Sequence, residues 1–194
     1  MKATGIREEK WTEIINAAIR VFSKHGVDGA KMEYIAKEAG IGKGTIYEYF
    51  ASKERLFEEM LKFSMEEFRQ GLEENIGLGK TIEEKLLNCS HYNAEFLIDH
   101  MDIVQIAMQI NLLSEELRVN FLAGQEAIRE RYMAMVKTAK AQGELRADLD
   151  DELATFCIMG ALDEFCKQRV FVDQRPLAQI DHQGIVDVVL KGLK

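Results

Sequence analysis

Four side chains within seven consecutive residues can donate hydrogen bonds, namely Lys43, Thr45, Tyr47 and Tyr49. A lysine ammonium can donate to a guanine edge or to a phosphate, and a threonine offers both a hydroxyl for phosphate and a methyl for thymine. Tyrosines are long, rigid donors suited to phosphate oxygens. These residue types therefore indicate recognition of duplex nucleic acid and not bond-making chemistry.

A helix before this segment would position it. Met32, Ile35, Ala36 and Ala39 are spaced i, i+3, i+4 and i+7, which makes one helix face apolar. Gly40 then supplies the residue that enters the left-handed region without a Cβ penalty.

The donors themselves fall on a second, very short helix, predicted over residues 42–49. It buries Ile46 and Phe50 and turns the four donors outward. A helix this short depends on its neighbours for stability. Two such helices joined by a glycine turn predict a helix-turn-helix, whose second helix enters the major groove.

At these residues the chain resembles the TetR family of bacterial transcriptional regulators. The matching positions are 14–22, Gly26, Ile35, Ala36, Ala39, Gly40, 44–47, Tyr49, Phe50 and 52–54. The resemblance implies DNA contacts from Lys43, Gly44, Thr45, Tyr47, Tyr49 and Lys53. Alternatively the two tyrosines pack and the lysines are merely solvated. Glu33 stands where basic or small residues often help, and we expect no DNA contact from it.

The family pattern is broken at two helix starts. Thr or Ser is usual where Ala30 and Lys31 stand, so the cap of the first motif helix is lost or moved to Asp28. Ser is usual where Gly42 stands, and glycine is a weaker N-cap.

The charge distribution restricts which part of the chain can approach DNA. The net charge is −8 over 194 residues, but residues 1–55 hold 10 Lys/Arg against 8 Asp/Glu, while the remainder holds 15 against 25. The acidic remainder would repel a polyanion. With so small a positive excess, binding should depend on a few placed contacts and on two copies acting together on a palindromic site.

Composition excludes several classes of protein. Hydrophobic content of 47% with 30% charged residues is typical of a folded chain, and no apolar run reaches the length of a membrane span. The three cysteines are odd in number and not in metal-ligand spacing, which favours free thiols in the cytoplasm. No nucleophile–base pair, metal cluster or cofactor motif is visible, so we expect neither an enzyme, a metal nor a cofactor.

The hydrophobic periodicity is helical throughout, so the predicted fold is all-α. An N-terminal three-helix DNA-binding domain over residues 1–52 would precede a helical effector-binding and dimerisation domain over residues 53–194. A first helix is predicted over 8–25, a fourth from Ser52 to about Asn75, and later helices over 81–100, 101–113, 114–142, 150–171 and 176–193.

The middle helices are predicted to enclose a small-molecule effector, because seven of the nine methionines fall between Met60 and Met159. The candidate lining residues are Tyr92, Phe96, Met101, Gln105, Met108, Phe121, Tyr132, Met135 and Phe156. Each is otherwise plain core, or for Gln105 an exposed face. The segment 103–118 is similar to fatty-acid-responsive members of the family, which implies an acyl-CoA effector, with Arg118 and Arg129 as candidate partners of its phosphates.

The last two helices look like the dimer-forming pair of TetR proteins. Gly160 and Ala161 would allow close backbone approach, and Ile185, Val188, Val189 and Gly192 form a second stripe. The alternative is core within one chain. The function expected is a homodimeric, ligand-responsive repressor, with a binding protein that lacks sequence-specific DNA recognition as the alternative.

Overall fold

The computed structural model describes residues 2–101 and 115–193. Within these ranges the chain is helical and contains no strand, which confirms the all-α prediction. The predicted helix over 101–113 lies outside the described residues except for Met101. By packing, residues up to Met65 belong with 115–120 to a first compact unit, and Glu66–Met101 belongs with 121–193 to a second.

The first unit begins with α1, Lys2–Gly29. Ile15, Ala18 and Phe22 lie on its buried face as the spacing predicts, and Trp11 is partly buried beside them. Gly26 has φ 68° and ψ 171°, so the helix kinks where the sequence predicts a stop.

The predicted helix-turn-helix is present as α2, Met32–Glu38, and α3, Lys43–Tyr49. Gly40 between them has φ 65°. Neither helix has a side-chain cap, since Lys31 and Gly42 stand at their N-cap positions. The cap missing from the sequence is therefore lost and is not replaced by Asp28.

Helix α4, Lys53–Leu78, contributes to both units. The Ser52 hydroxyl accepts from the Arg55 amide at 3.2 Å and so caps α4 at the residue where the sequence predicts the fourth helix to start. Met60 and Leu61 pack in the first core and Leu72 packs in the second.

The second unit is built from the end of α4, α5 (Ile82–Asp99), α6 (Glu115–Ala141), α7 (Asp151–Lys167) and α8 (His182–Leu193). Helix α5 packs against α7 and α8, which also pack against each other. Gly143, with φ 74°, follows α6 as predicted. Asp150 caps α7 by accepting from the Leu153 amide at 2.8 Å.

The prediction of one helix over 176–193 was wrong. After α7 the chain forms a π-helical turn, Gln168–Val172, and a 3-10 turn, Leu177–Gln179, and Ile180 is extended before α8 begins. Asp181 starts α8 by accepting from the Gly184 amide at 2.9 Å. This local capping bond favours a helix start at residue 182 and not at Pro176.

Candidate DNA-binding and effector sites

Helix α3 presents its donors unequally. The Lys43 side chain is 63% exposed and Tyr47 is 46% exposed, whereas Ile46 is fully buried. Thr45 and Tyr49 are only half-exposed, and Tyr49 packs against the first core. Of the four donors that the sequence predicts to be exposed, Lys43 and Tyr47 are therefore exposed, whereas Thr45 and Tyr49 are exposed only in part. Tyr49 is half-buried because it belongs partly to the face that holds so short a helix in place.

The start of α3 is open to an approaching molecule. Apart from the adjacent residues and the backbone of α3 itself, no described atom lies within 4 Å of the position where a Cβ would stand on Gly44. Its backbone can therefore approach a phosphate without side-chain obstruction.

Lys43 is joined to Glu33 on α2 by an ion pair between the ammonium and the carboxylate. The hydrogen bond and the charge of Lys43 hold the pKa of Glu33 below its usual range, and Glu33 raises the pKa of Lys43. The sequence analysis missed this pair, because ten residues and a turn separate its members and only the packing of α2 on α3 brings them together.

Lys53 has a structural role that the sequence analysis did not anticipate. Its ammonium donates to the carbonyls of Val27 at 2.8 Å and of Asp28 at 3.3 Å, at the end of α1. These carbonyls lack helical partners, so the bonds tie α4 to the end of α1. A phosphate contact from Lys53 stays a prediction.

A second ion pair neutralises positive charge on the first unit. Arg20 on α1 donates to Glu38 on α2 at 2.7 Å, and both side chains are exposed. Arg20, like Lys43, therefore has a carboxylate partner within the folded chain.

In the second unit, Phe68, Tyr92, Phe96 and His100 form a row of rings that we call the aromatic cluster. Phe96 is buried and the other three are half-buried. Ring centroids lie 5.6 Å apart for Phe68–Tyr92, 4.9 Å for Phe68–Phe96 and 4.0 Å for Phe96–His100. The Tyr92 hydroxyl donates to the Glu67 carbonyl at 3.3 Å. Burial and nearby carboxylates raise the pKa of Tyr92 to about 12, so it stays a neutral donor.

Tyr92 lies directly over Gly71 of α4. A Cβ at Gly71 would stand 2.1 Å from the tyrosine oxygen, a distance that no real pair of nonbonded atoms adopts. The absence of a side chain at residue 71 therefore creates the place that the ring occupies.

The structure places the other predicted lining residues in different surroundings. Tyr132 and Met135 are buried in the second core, where burial raises the pKa of Tyr132 well above its usual value. Met101 is half-buried. Gln105, Met108 and the side chain of Phe121 lie outside the described residues.

Phe156 does not join the aromatic cluster. It is 53% exposed on α7, with the Arg129 guanidinium 6.0 Å from its ring centre. Its exposure suits an intermolecular surface better than a cavity wall.

A cavity of about 550 Å³ in the described part of the chain is lined by Thr81, Ile82, Glu83 and residues 143–146, none of them a predicted effector residue. The Glu144 carboxylate accepts a hydrogen bond from the Ile82 amide at 2.7 Å, so this acidic group in the cavity lining already has a partner within the chain. Among the described side chains, no three His, Cys, Asp or Glu residues are grouped to hold a metal ion. None of the described helices is long and apolar enough to cross a membrane.

An apolar stripe is exposed on α7 and α8. Leu153, Phe156 and Val188 are exposed, and Ile185 and Val189 are partly buried beside them. Apart from the adjacent residues and the backbone of α7 itself, no described atom lies within 4 Å of a Cβ position at Gly160 on this stripe. Part of the surface that the sequence assigns to dimerisation is thus uncovered in a single chain.

Comparison with known proteins agrees with this architecture. Residues 14–60 match the bacterial regulatory proteins of the tetR family, and residues 79–167 match the tetracyclin repressor-like C-terminal domain. The chain is 27% identical over 188 residues to the fatty acid metabolism regulator protein of Bacillus subtilis (strain 168), covering 96% of this chain and 97% of that protein.

Solved structures give the same result. FadR from Bacillus subtilis in complex with stearoyl-CoA superposes with a TM-score of 0.77 at 27% identity, covering 95% of this chain and all of that one. The fatty acid degradation regulator FadR from Bacillus halodurans gives 0.77 at 26% identity with the same coverage. The chain therefore belongs to the TetR family, and it is a ligand-responsive, DNA-binding transcriptional regulator.

Proposed function

We propose that this regulator is a homodimeric repressor that leaves a palindromic operator when a long-chain acyl-CoA binds its second unit. In this proposal residues 1–52 bind DNA in the cytoplasm, and residues 53–194 bind the effector and dimerise. The observation that carries the effector is the likeness, over nearly the whole chain, to a FadR whose solved structure holds stearoyl-CoA.

The DNA contacts proposed are those of Lys43, Gly44, Thr45 and Tyr47 on α3, with Tyr49 reduced to a peripheral contact by its burial. Lys43 and Tyr47 have the exposure that a major-groove reader needs. Since one seven-residue helix offers little surface, two copies on successive half-sites would supply the affinity.

The effector site proposed includes the aromatic cluster, because its buried and half-buried rings form an apolar surface on which an acyl chain can lie. Tyr92 and Phe96 are the two predicted lining residues in that cluster. The proposal includes Gln105 and Met108 on sequence grounds alone. Phe156 is reassigned to the dimer surface.

Dimerisation is proposed through the apolar stripe of α7 and α8. Leu153, Phe156 and Val188 would be buried against the same surface of the partner, since a two-fold axis uses one patch on both copies. The open position at Gly160 would let the two backbones come close.

The mechanism proposed is linkage between the two ligands. Effector binding favours a dimer conformation in which the two α3 helices no longer match successive major grooves. Helix α4 belongs to both cores and provides the covalent path between them. A tenfold loss of operator affinity needs only about 1.4 kcal/mol of differential binding.

The test is a fluorescence titration of the protein's own upstream DNA, with and without stearoyl-CoA. We expect sequence-specific binding that weakens at least tenfold as stearoyl-CoA is added, whereas coenzyme A alone leaves it unchanged. A calorimetric titration without binding by acyl-CoAs of several chain lengths would exclude this effector. Absence of any sequence preference would instead favour a binding protein without operator recognition.

Binding-site variants locate the effector. Phe96→Ala should weaken acyl-CoA binding and leave operator affinity in its absence unchanged, because it removes a ring from the aromatic cluster. Leu122→Ala, on an exposed apolar residue of α6, is the matched control and should change neither.

A further inference from the structure

The ion pair between Lys43 and Glu33 places a negative charge on the DNA-reading surface. Glu33 stands in the first turn of α2 and is 56% exposed, and its carboxylate touches the ammonium of Lys43 at the start of α3. Because the two groups are in contact, a base pair that Lys43 reaches from this position also lies near Glu33.

Few groups in the major groove interact favourably with a carboxylate. It is repelled by the phosphates, and it accepts only from the exocyclic amino groups of cytosine and adenine. An exposed ion pair contributes little to stability, so the Lys43 ammonium is free to turn toward a better acceptor when one arrives.

Lys43 is a donor and Glu33 is an acceptor, and this arrangement matches one kind of base pair best. In a G·C pair, guanine O6 and cytosine N4 are hydrogen-bonded to each other and therefore lie about 3 Å apart. Lys43 would donate to guanine O6 and N7, while Glu33 would accept from cytosine N4. An A·T pair instead separates its two acceptors by the adenine amino group, so the lysine would lose its second acceptor.

We propose that Glu33 is a specificity-determining residue, which together with Lys43 reads a single G·C base pair in each half-site. This inference rests on the proposed function, and it replaces the expectation that Glu33 makes no contact with DNA. Glu33 lowers affinity for all duplexes through its charge, and least where a cytosine amino group satisfies it.

The experiment measures operator affinity at one salt concentration on a panel in which each base pair is replaced in turn. Lys43→Ala first identifies the position that Lys43 reads. Wild type should prefer G·C there by about tenfold. Glu33→Ala should lose the same preference at the same position, and the double variant should lose no more than either single one, because the two side chains act as one reader.

Glu38→Ala is the matched control, since Glu38 also lies on α2 and pairs with a cation, Arg20, outside α3. Removal of either acid should tighten binding to unrelated DNA a few-fold, and only Glu33→Ala should change the base ranking. Glu33→Gln is a second variant with the same shape; its amide both donates and accepts, so it should tolerate pairs other than G·C at that position.

Uniformly tighter binding by Glu33→Ala with an unchanged ranking would overturn the proposal and reduce Glu33 to a repulsive charge. A preference for A·T at the Lys43 position would also overturn it. If wild type showed no preference anywhere in the panel, the proposed operator recognition itself would fail, which is a distinguishable result.

Discussion

Polar contacts in the first and second units show the difference between an exposed and a buried pair. In the first unit, the ion pairs Lys43–Glu33 and Arg20–Glu38 are exposed and can exchange partners with an incoming polyanion. In the second unit, Ser90 and His182 form a hydrogen bond of 2.8 Å between two buried side chains. Breaking an exposed ion pair costs little free energy, so such a pair suits recognition. Breaking a buried polar contact costs more free energy, so such a contact suits a fixed core.

The largest effect on the free energy of unfolding is expected from truncating a fully buried isoleucine, because both units depend on their apolar cores. Ile46→Ala and Ile158→Ala each truncate a fully buried isoleucine, one in each core, and each should lower the free energy of unfolding by about 2–5 kcal/mol. Only Ile46→Ala should also abolish operator binding, because α3 is too short to hold its shape without that contact. Denaturant unfolding and DNA titration at low temperature measure both; equal loss of DNA binding in the two variants would contradict the distinction.

The buried histidine makes the second unit sensitive to acid. Burial, and then the neighbouring His91, lower the pKa of His182 from 6.5 to about 4. Since the unfolded chain takes up this proton first, the stabilising contribution is complete above pH 6.5 and is lost as the pH falls toward 4. The loss should reach about 3 kcal/mol, because each tenfold difference in proton affinity between the folded and unfolded chain is worth about 1.4 kcal/mol. His182→Gln should flatten this part of the stability profile, and an unchanged profile would show that His182 is not its source.

Deleting the partner of that histidine gives the next largest effect. His182 is 3% exposed and its Nε2 already lacks a hydrogen-bond partner among the described residues. Ser90→Ala would leave Nδ1 unpaired too, at a cost of about 1–3 kcal/mol. Ser64→Ala is the control, because among the described residues that buried hydroxyl bonds only to the Met60 carbonyl of its own helix. Equal unfolding midpoints for the two variants would show that the buried contact has no special weight.

The smallest effect on stability is expected from changing N-cap residues, since α7 has a side-chain cap and α2 has none. Asp150 caps α7, and Asp150→Ala should destabilise the chain by about 1 kcal/mol. Lys31 gives α2 no side-chain cap, so Lys31→Ser should stabilise it by about 0.5–1 kcal/mol. Thermal melts measure both changes, and the prediction fails if Lys31→Ser lowers the midpoint.

Local features of the fold could be predicted from the sequence because they depend on neighbouring residues. Gly26, Gly40 and Gly143 each adopt a positive φ where the helical pattern breaks, and Ser52 caps α4. The break before α8 was missed because Pro176 looked like a helix start, whereas the capping bond of Asp181 decides the boundary.

The sites were less predictable because they combine distant residues. The periodicity of α3 indicated the burial of Ile46, but the Lys43–Glu33 pair depends on how α2 packs on α3. Ser90 and His182 are 92 residues apart, and no local pattern links them. The sequence analysis grouped Phe156 with the apolar lining because a hydrophobic side chain is expected both in a cavity wall and on a dimer surface, and the sequence does not distinguish the two.

The absence of a side chain at Gly71 couples the substitutions that residues 71 and 92 can accept. Since the Tyr92 ring occupies the volume a β-carbon would need, a mutation that adds one at residue 71 must displace the ring. Selection on the tyrosine therefore acts on the glycine codon as well, and in diverging descendants we expect these two codons to change jointly or to stay as they are.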